Sequence, residues 1–273
     1  MTLGRSPRGS MLACGMNKTP RFAFTAALVL FCGLAFAGPE VEEITEEVYP
    51  VPMDVAVRVR CVEGTIHIYA TNDPELKVIA IKKAYPKARL DAIRPRVTID
   101  GANAVIDTAF PPKAEGLSLA DRSGTVDYSI YVPQSATLAQ VEVATGEIIV
   151  DGFRGGGVNA KLGTGRIGAR NCFTAMQLQV AEGGMTVIYG WWEKRPLSLR
   201  AEIARGDITV DVPPIADLRI DAEAADGWVR SDHAKDEEPS PNEHMMKTTM
   251  GEDGEAEITL RAARGNIRIG KSY

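Results

Sequence analysis

A chain of 273 residues, 45% hydrophobic and 25% charged, has ordinary globular composition, which excludes global disorder and allows one or two domains. The formal charge is −5, yet residues 1–37 hold four basic residues and no acid, leaving 27 Lys and Arg against 36 Asp and Glu in the remainder. A surplus of that sign excludes a phosphate-neutralising face, so no nucleic-acid partner is expected.

Residues 1–37 read as a leader that ends in a signal peptide. Lys18 and Arg21 form its positive start, Phe22 to Leu34 its apolar run, and Ala35-Phe36-Ala37 a small-x-small cleavage site before Gly38. That run falls short of the roughly 20 apolar residues of a membrane helix, and no later segment is long and apolar enough. The expectation is an exported chain, periplasmic or at the cell surface, with no transmembrane anchor after cleavage. A lipoprotein site at Cys32 is disfavoured by the bulky Val29-Leu30-Phe31 before it. Cleavage leaves Cys61 and Cys172, which are either two buried thiols or a single bridge.

Residues 38–54 are acidic and Pro-punctuated, and read as a flexible or edge segment. Leu76 to Ile81 predicts a strand, and Val97-Ile99 and Val105-Ile106 predict a hairpin around Asp100-Gly101-Ala102-Asn103. Tyr128-Ile130-Val132 before Pro133 predicts another strand. Together these form an expected N-terminal β cap.

A glycine-punctuated repeat dominates the rest of the chain. Seven of the 26 glycines, Gly64, Gly146, Gly165, Gly183, Gly206, Gly227 and Gly265, share one frame; from Gly146 the gaps are 19, 18, 23, 21 and 38 residues. In each unit, positions −7, −5, −3, +2 and +4 from the glycine are apolar, from Val57, Val59, Cys61, Ile66 and Ile68 to Ile258, Leu260, Ala262, Ile267 and Ile269. Of these 35 positions only Ser231 is polar, whereas of the 21 interleaved positions −6, −4 and +3 only Ile149 is apolar. A period of two with a fixed phase to glycine predicts strand, corner, strand. So short a pair cannot bury its apolar side alone, and stacking the units at about 4.8 Å would enclose one interior. The predicted fold is therefore all-β: one domain over residues 55–273, a β-solenoid-like stack of coils of about 20 residues. Alanines such as Ala160, Ala201 and Ala222 imply a narrow interior, and residues 232–254 read as a polar insertion between the last two coils.

The runs Tyr128-Ser-Ile-Tyr-Val-Pro133, Val141-Glu-Val-Ala-Thr-Gly-Glu-Ile-Ile-Val150, Asp211-Val-Pro-Pro214 and Arg264-Gly-Asn-Ile-Arg-Ile-Gly270 resemble the bacterial "putative adhesin" family of exported β-strand-repeat domains. The likeness covers most of residues 55–270, with 85–127 departing from a clean repeat. It implies a β-repeat domain outside the cytoplasm and carries no catalytic signature.

Chemistry-bearing residues are sparse. Of the three histidines, His67 falls at an outward position, and His233 and His244 lie in the polar insertion, so no nucleophile–base pair is legible and no enzyme is expected. Asp232-His233, Asp236-Glu237-Glu238 and Glu243-His244 read as a solvated acidic loop without metal or cofactor. Stacking in sequence order sets Glu202 beside Glu223 and Arg200 beside Asp221. Such a patch suits either a mixed-charge surface or a Ca²⁺-assisted polysaccharide lyase. Trp191 and Trp192 follow Gly190 at a bend, where both cannot face inward; an exposed one suits a sugar ring or a protein partner. Arg205-Gly206-Asp207 is explained by its corner glycine. The expected function is a non-enzymatic envelope or surface module that binds an envelope protein or glycan through loops at 110–125, 190–196 and 232–254. The alternatives are the lyase and a structural element joined end to end through open edges, with Lys271-Ser272-Tyr273 guarding one of them.

Overall fold

Alternating apolar residues become alternating buried residues along each long strand of the chain. The computed structural model describes residues 40–112, 123–233, 244–252 and 254–272; the leader and the acidic residues 236–243 of the insertion lie outside them. In chain order the elements begin with β1 (Val41–Pro50), β2 (Ala56–Thr71), β3 (Glu75–Ala84), α1 (Lys87–Ala92), β4 (Arg94–Asp100) and β5 (Asn103–Ala109). Then come β6 (Thr125–Pro133), β7 (Thr137–Asp151), β8 (Val158–Arg170), β9 (Ala175–Ile188) and β10 (Ser198–Val212). The last are β11 (Leu218–Asp226), β12 (Val229–Ser231), β13 (Met245–Met250), β14 (Ala256–Arg264) and β15 (Ile267–Lys271).

All of these strands belong to one sheet that does not close, ordered β1-β3-β6-β2-β7-β8-β9-β10-β14-β11-β13 along its main path. From β2 to β10 the neighbours are parallel, and the corner glycines lie side by side: Gly64 with Gly146, then Gly165, Gly183 and Gly206. The glycine is required by the spacing as well as by φ. At Gly165 φ is +135°, and a Cβ would lie 1.8 Å from the carbonyl oxygen of Gly146. Before each corner the odd offsets are buried and after it the even ones, so both arms of a strand turn their apolar side the same way.

Of the 35 positions expected inside, 33 are buried. Ser231 and Ala139 are half-buried. The second follows from a bulge: Val57 opposes Leu138 while Arg58 opposes Gln140, so the extra residue sends Leu138 inward in place of Ala139. At β2 the sheet divides. Its first arm continues to β5 and β4, its second to β6, β3 and β1.

Three expectations need correction and one is narrowed. The glycine-framed units do not follow sequence order throughout: β14 lies between β10 and β11, parallel to both, so the last unit inserts between the fifth and sixth. Within the insertion, Met245–Met250 is a strand antiparallel to β11. Of the flexible and edge readings of 38–54, Val41–Pro50 takes the second: it is an edge strand that pairs along its whole length with β3 and sets Glu46 against Lys77 at 2.6 Å and Glu43 against Lys82 at 2.9 Å. Finally, Lys271 guards no edge, because it pairs with Val212 in β10 and Ser272 donates to the Tyr189 carbonyl at 2.6 Å; Tyr273 lies outside the described residues. Cys61 and Cys172 are free, buried thiols, each pushed up to about 11 by desolvation. Among the described residues no helix is long and apolar enough to cross a membrane.

Candidate functional site

The glycine frame that orders the core also orders a surface column. Eight residues after Gly146, Gly165 and Gly183 stand Arg154, Phe173 and Trp191, just past the ends of the neighbouring strands β7, β8 and β9. The Arg154 guanidinium lies 5.6 Å from the Phe173 ring centre and 5.9 Å from that of Trp191, and the two rings are 6.0 Å apart. Second corners align this column: Asn171, at φ +51°, accepts a hydrogen bond from the Gly190 N–H at 2.8 Å. Tyr189 is fully buried and packs on Phe173 at 5.4 Å, while Trp192 sits edge-on to both at 5.9 and 6.2 Å.

Of the two expected tryptophans, then, Trp192 is partly buried against the core and Trp191 is 47% exposed. Glu193 holds the exposed one. Its carboxylate accepts from the Trp191 indole N–H at 2.9 Å and forms a fork with Arg154, the shortest bond being 2.6 Å. Arg195 approaches the same carboxylate at 3.8 Å and donates to the Arg154 carbonyl at 3.0 Å. These bonds, Arg154 foremost, hold the Glu193 carboxyl below the usual carboxylate range. The result is an indole whose polar atom is satisfied from within and whose apolar surface is half open to solvent. Arg154, Phe173 and Glu193 were missed in the sequence, although extending the frame from +4 to +8 would have placed the first two in line with Trp191.

The charged patch is arranged differently from its expected form. Glu202 pairs across strands with Arg261, and Arg261 with Glu223, so the two carboxylates are separated by a guanidinium 3.5 Å from Glu223. Thr259 likewise stands between Arg200 and Asp221. Arg200 instead bonds Glu202 on its own strand at 2.6 Å, and Asp221 is held by Arg261 at 2.9 Å and Lys247 at 3.1 Å. This row alternates in sign across much of the sheet, Arg96, Asp107, Arg60, Glu142 and Lys161 preceding the neutral Gln179. Sequence order would have abutted like charges, and insertion of β14 between β10 and β11 removes that repulsion.

Remaining residues are engaged locally. His67 shares a 3.2 Å hydrogen bond with the Tyr69 hydroxyl, His233 contacts the Gly270 carbonyl at 2.9 Å, and His244 the Gly227 carbonyl at 2.6 Å. Arg205 pairs with Glu182 at 2.7 Å, and Asp207 accepts from the Asn266 N–H at 2.7 Å, each tying β10 to a neighbouring segment. Asp232 pairs with Arg268 at 2.7 Å. Among the described residues no group of three or more His, Cys, Asp and Glu converges as a metal-binding set.

No family model matches the chain. No curated protein matches it either. Among solved structures it is similar to a "putative cell adhesion protein" from Clostridium sporogenes, with 16% identity, 84% of this chain and 100% of that one covered, and a TM-score of 0.53. A "putative adhesin" from Bacteroides fragilis (9% identity, 83% and 97% covered) and a "putative lipid binding protein" from Parabacteroides distasonis (11%, 83% and 96%) each give a TM-score of 0.30. The first likeness shows the fold alone; the other two carry no argument about this chain.

Proposed function

We propose that the chain is an exported, non-enzymatic interaction module of the bacterial envelope, a β-solenoid-like stack that engages an envelope protein or glycan through the Trp191 corner. The observation that carries this reading is Trp191 itself. It is 47% exposed, yet Glu193 fixes its N–H and the Phe173 and Arg154 column backs it. An exposed indole held in one orientation loses little freedom on binding, which is what a recognition platform needs. The adhesion role named for the Clostridium protein agrees with it. Separation of Glu202 from Glu223 by Arg261 removes the adjacency on which the lyase alternative rested.

The test is retention of the purified chain on isolated cell envelopes, either intact, protease-treated or periodate-oxidised. Trp191→Ala should lower retention about tenfold with unchanged circular dichroism, as loss of a hot-spot aromatic does. The treatment that abolishes wild-type retention identifies the partner as protein or glycan. Equal retention of the variant would overturn the reading.

A further inference from the structure

A furrow of about 730 Å³ lies away from the Trp191 corner, where the β4–β5 hairpin meets β2, β7 and β8. Its floor is small and apolar: Val62, 46% exposed, with Ala109, Ala144 and Gly163. Four cations border it, Arg60, Arg94, Arg96 and Lys161, against two carboxylates, Asp107 and Glu142. Only Arg60 is paired within the furrow, with Glu142 at 3.8 Å. The side chains of Arg94, Arg96 and Lys161 make no hydrogen bond or ion pair with any described residue. On their other side Arg94 and Arg96 border a cavity of about 400 Å³ with Glu43, Glu47 and Asp91, and none of these acids pairs with them. Within the furrow's own lining, four cations against two carboxylates run opposite to the chain as a whole, which is acidic at −5.

Beyond Lys161 and Gly163 the furrow opens into a second hollow of about 540 Å³, floored by Ala181, Ala204, Ala225 and Ala263. From β2 to β11 it crosses six strand spacings, roughly 29 Å at about 4.8 Å each. Among the described residues no aromatic ring lines either hollow, and none offers a stacking surface there to a sugar. Unpaired guanidinium forks at one end suit the oxygens of a phosphate or carboxylate. A long, exposed, narrow apolar floor suits methylene groups.

We infer that this furrow binds a single-chain anionic amphiphile, its head between Arg60, Arg94 and Arg96 and its alkyl chain along the alanine floor. Calorimetric titration of the purified chain with dodecyl phosphate below its micellar concentration tests this. Dodecyl maltoside, dodecyltrimethylammonium and inorganic phosphate serve as comparators. Saturable binding of dodecyl phosphate, at least about tenfold tighter than each comparator, is expected. The double variant Arg94→Ala/Arg96→Ala should weaken it about tenfold or more, as should Ala144→Phe, which fills the exposed floor without touching the core. Trp191→Ala should leave it unchanged, which separates this site from the proposed envelope contact. Equal affinity for the uncharged or cationic amphiphile, equal affinity for inorganic phosphate, or unaltered binding in either furrow variant would overturn the inference.

Discussion

Tyr189 shows how closely the aromatic corner is sealed. Its ring is fully buried, its hydroxyl has no partner among the described residues, and burial drives its ionisation far above the usual phenol range. An unpaired buried hydroxyl costs free energy that its removal recovers. Tyr189→Phe keeps the ring contacts with Phe173 and Trp192 and deletes only that oxygen. Urea unfolding of the variant should give a stability equal to the wild type or higher by about 1 kcal/mol. A loss of that size would mean that the hydroxyl has a partner. Glu193 has the opposite character: its carboxylate accepts from the Trp191 indole and from Arg154, which backs that ring.

At the scale of the element, the corner is where backbone meets backbone. Gly165→Ala would force a Cβ to 1.8 Å from the Gly146 carbonyl at φ +135°, whereas Gly184, one residue beyond the next corner, has open space and no such φ. Gly165→Ala should lower stability by more than about 2 kcal/mol, and Gly184→Ala should stay within about 1 kcal/mol of the wild type, as read from thermal unfolding. Similar effects from both would contradict the side-by-side corners. Most of the strand interior was legible because burial obeys a period that the sequence displays, and the glycine frame fixes its phase. The misplacement of Ala139 came from a bulge, a pairing event that local alternation does not encode. The Arg154–Phe173–Trp191 column was legible in principle, since it obeys the same frame four residues further on. The furrow was not, because Arg94 and Arg96 reach it from a hairpin whose parallel attachment to β2 leaves no local trace.

For the whole molecule, the order of the strands in the sheet was the feature least open to reading. Units in one frame present interchangeable arms, so periodicity is silent on which unit abuts which. Long-range terms decide: Arg261 between Glu202 and Glu223, and β13 pairing along the far side of β11. A chain lacking residues 256–272 should therefore lose order on both sides of the gap. In hydrogen exchange, the Ile220 and Ala222 amides should lose most of their protection while those of Ile148 and Ile167 keep theirs. Retained protection in β11 would mean that it does not depend on β14. Placement of the last unit inside the one before it also sets where such a protein can change its length. Between β7 and β9, neighbours in space are neighbours along the chain, so a duplicated unit could slide in and leave both ends intact. Past β10 the same duplication would have to be threaded through an interlock, so growth and shortening among descendants should be confined to the middle of the array.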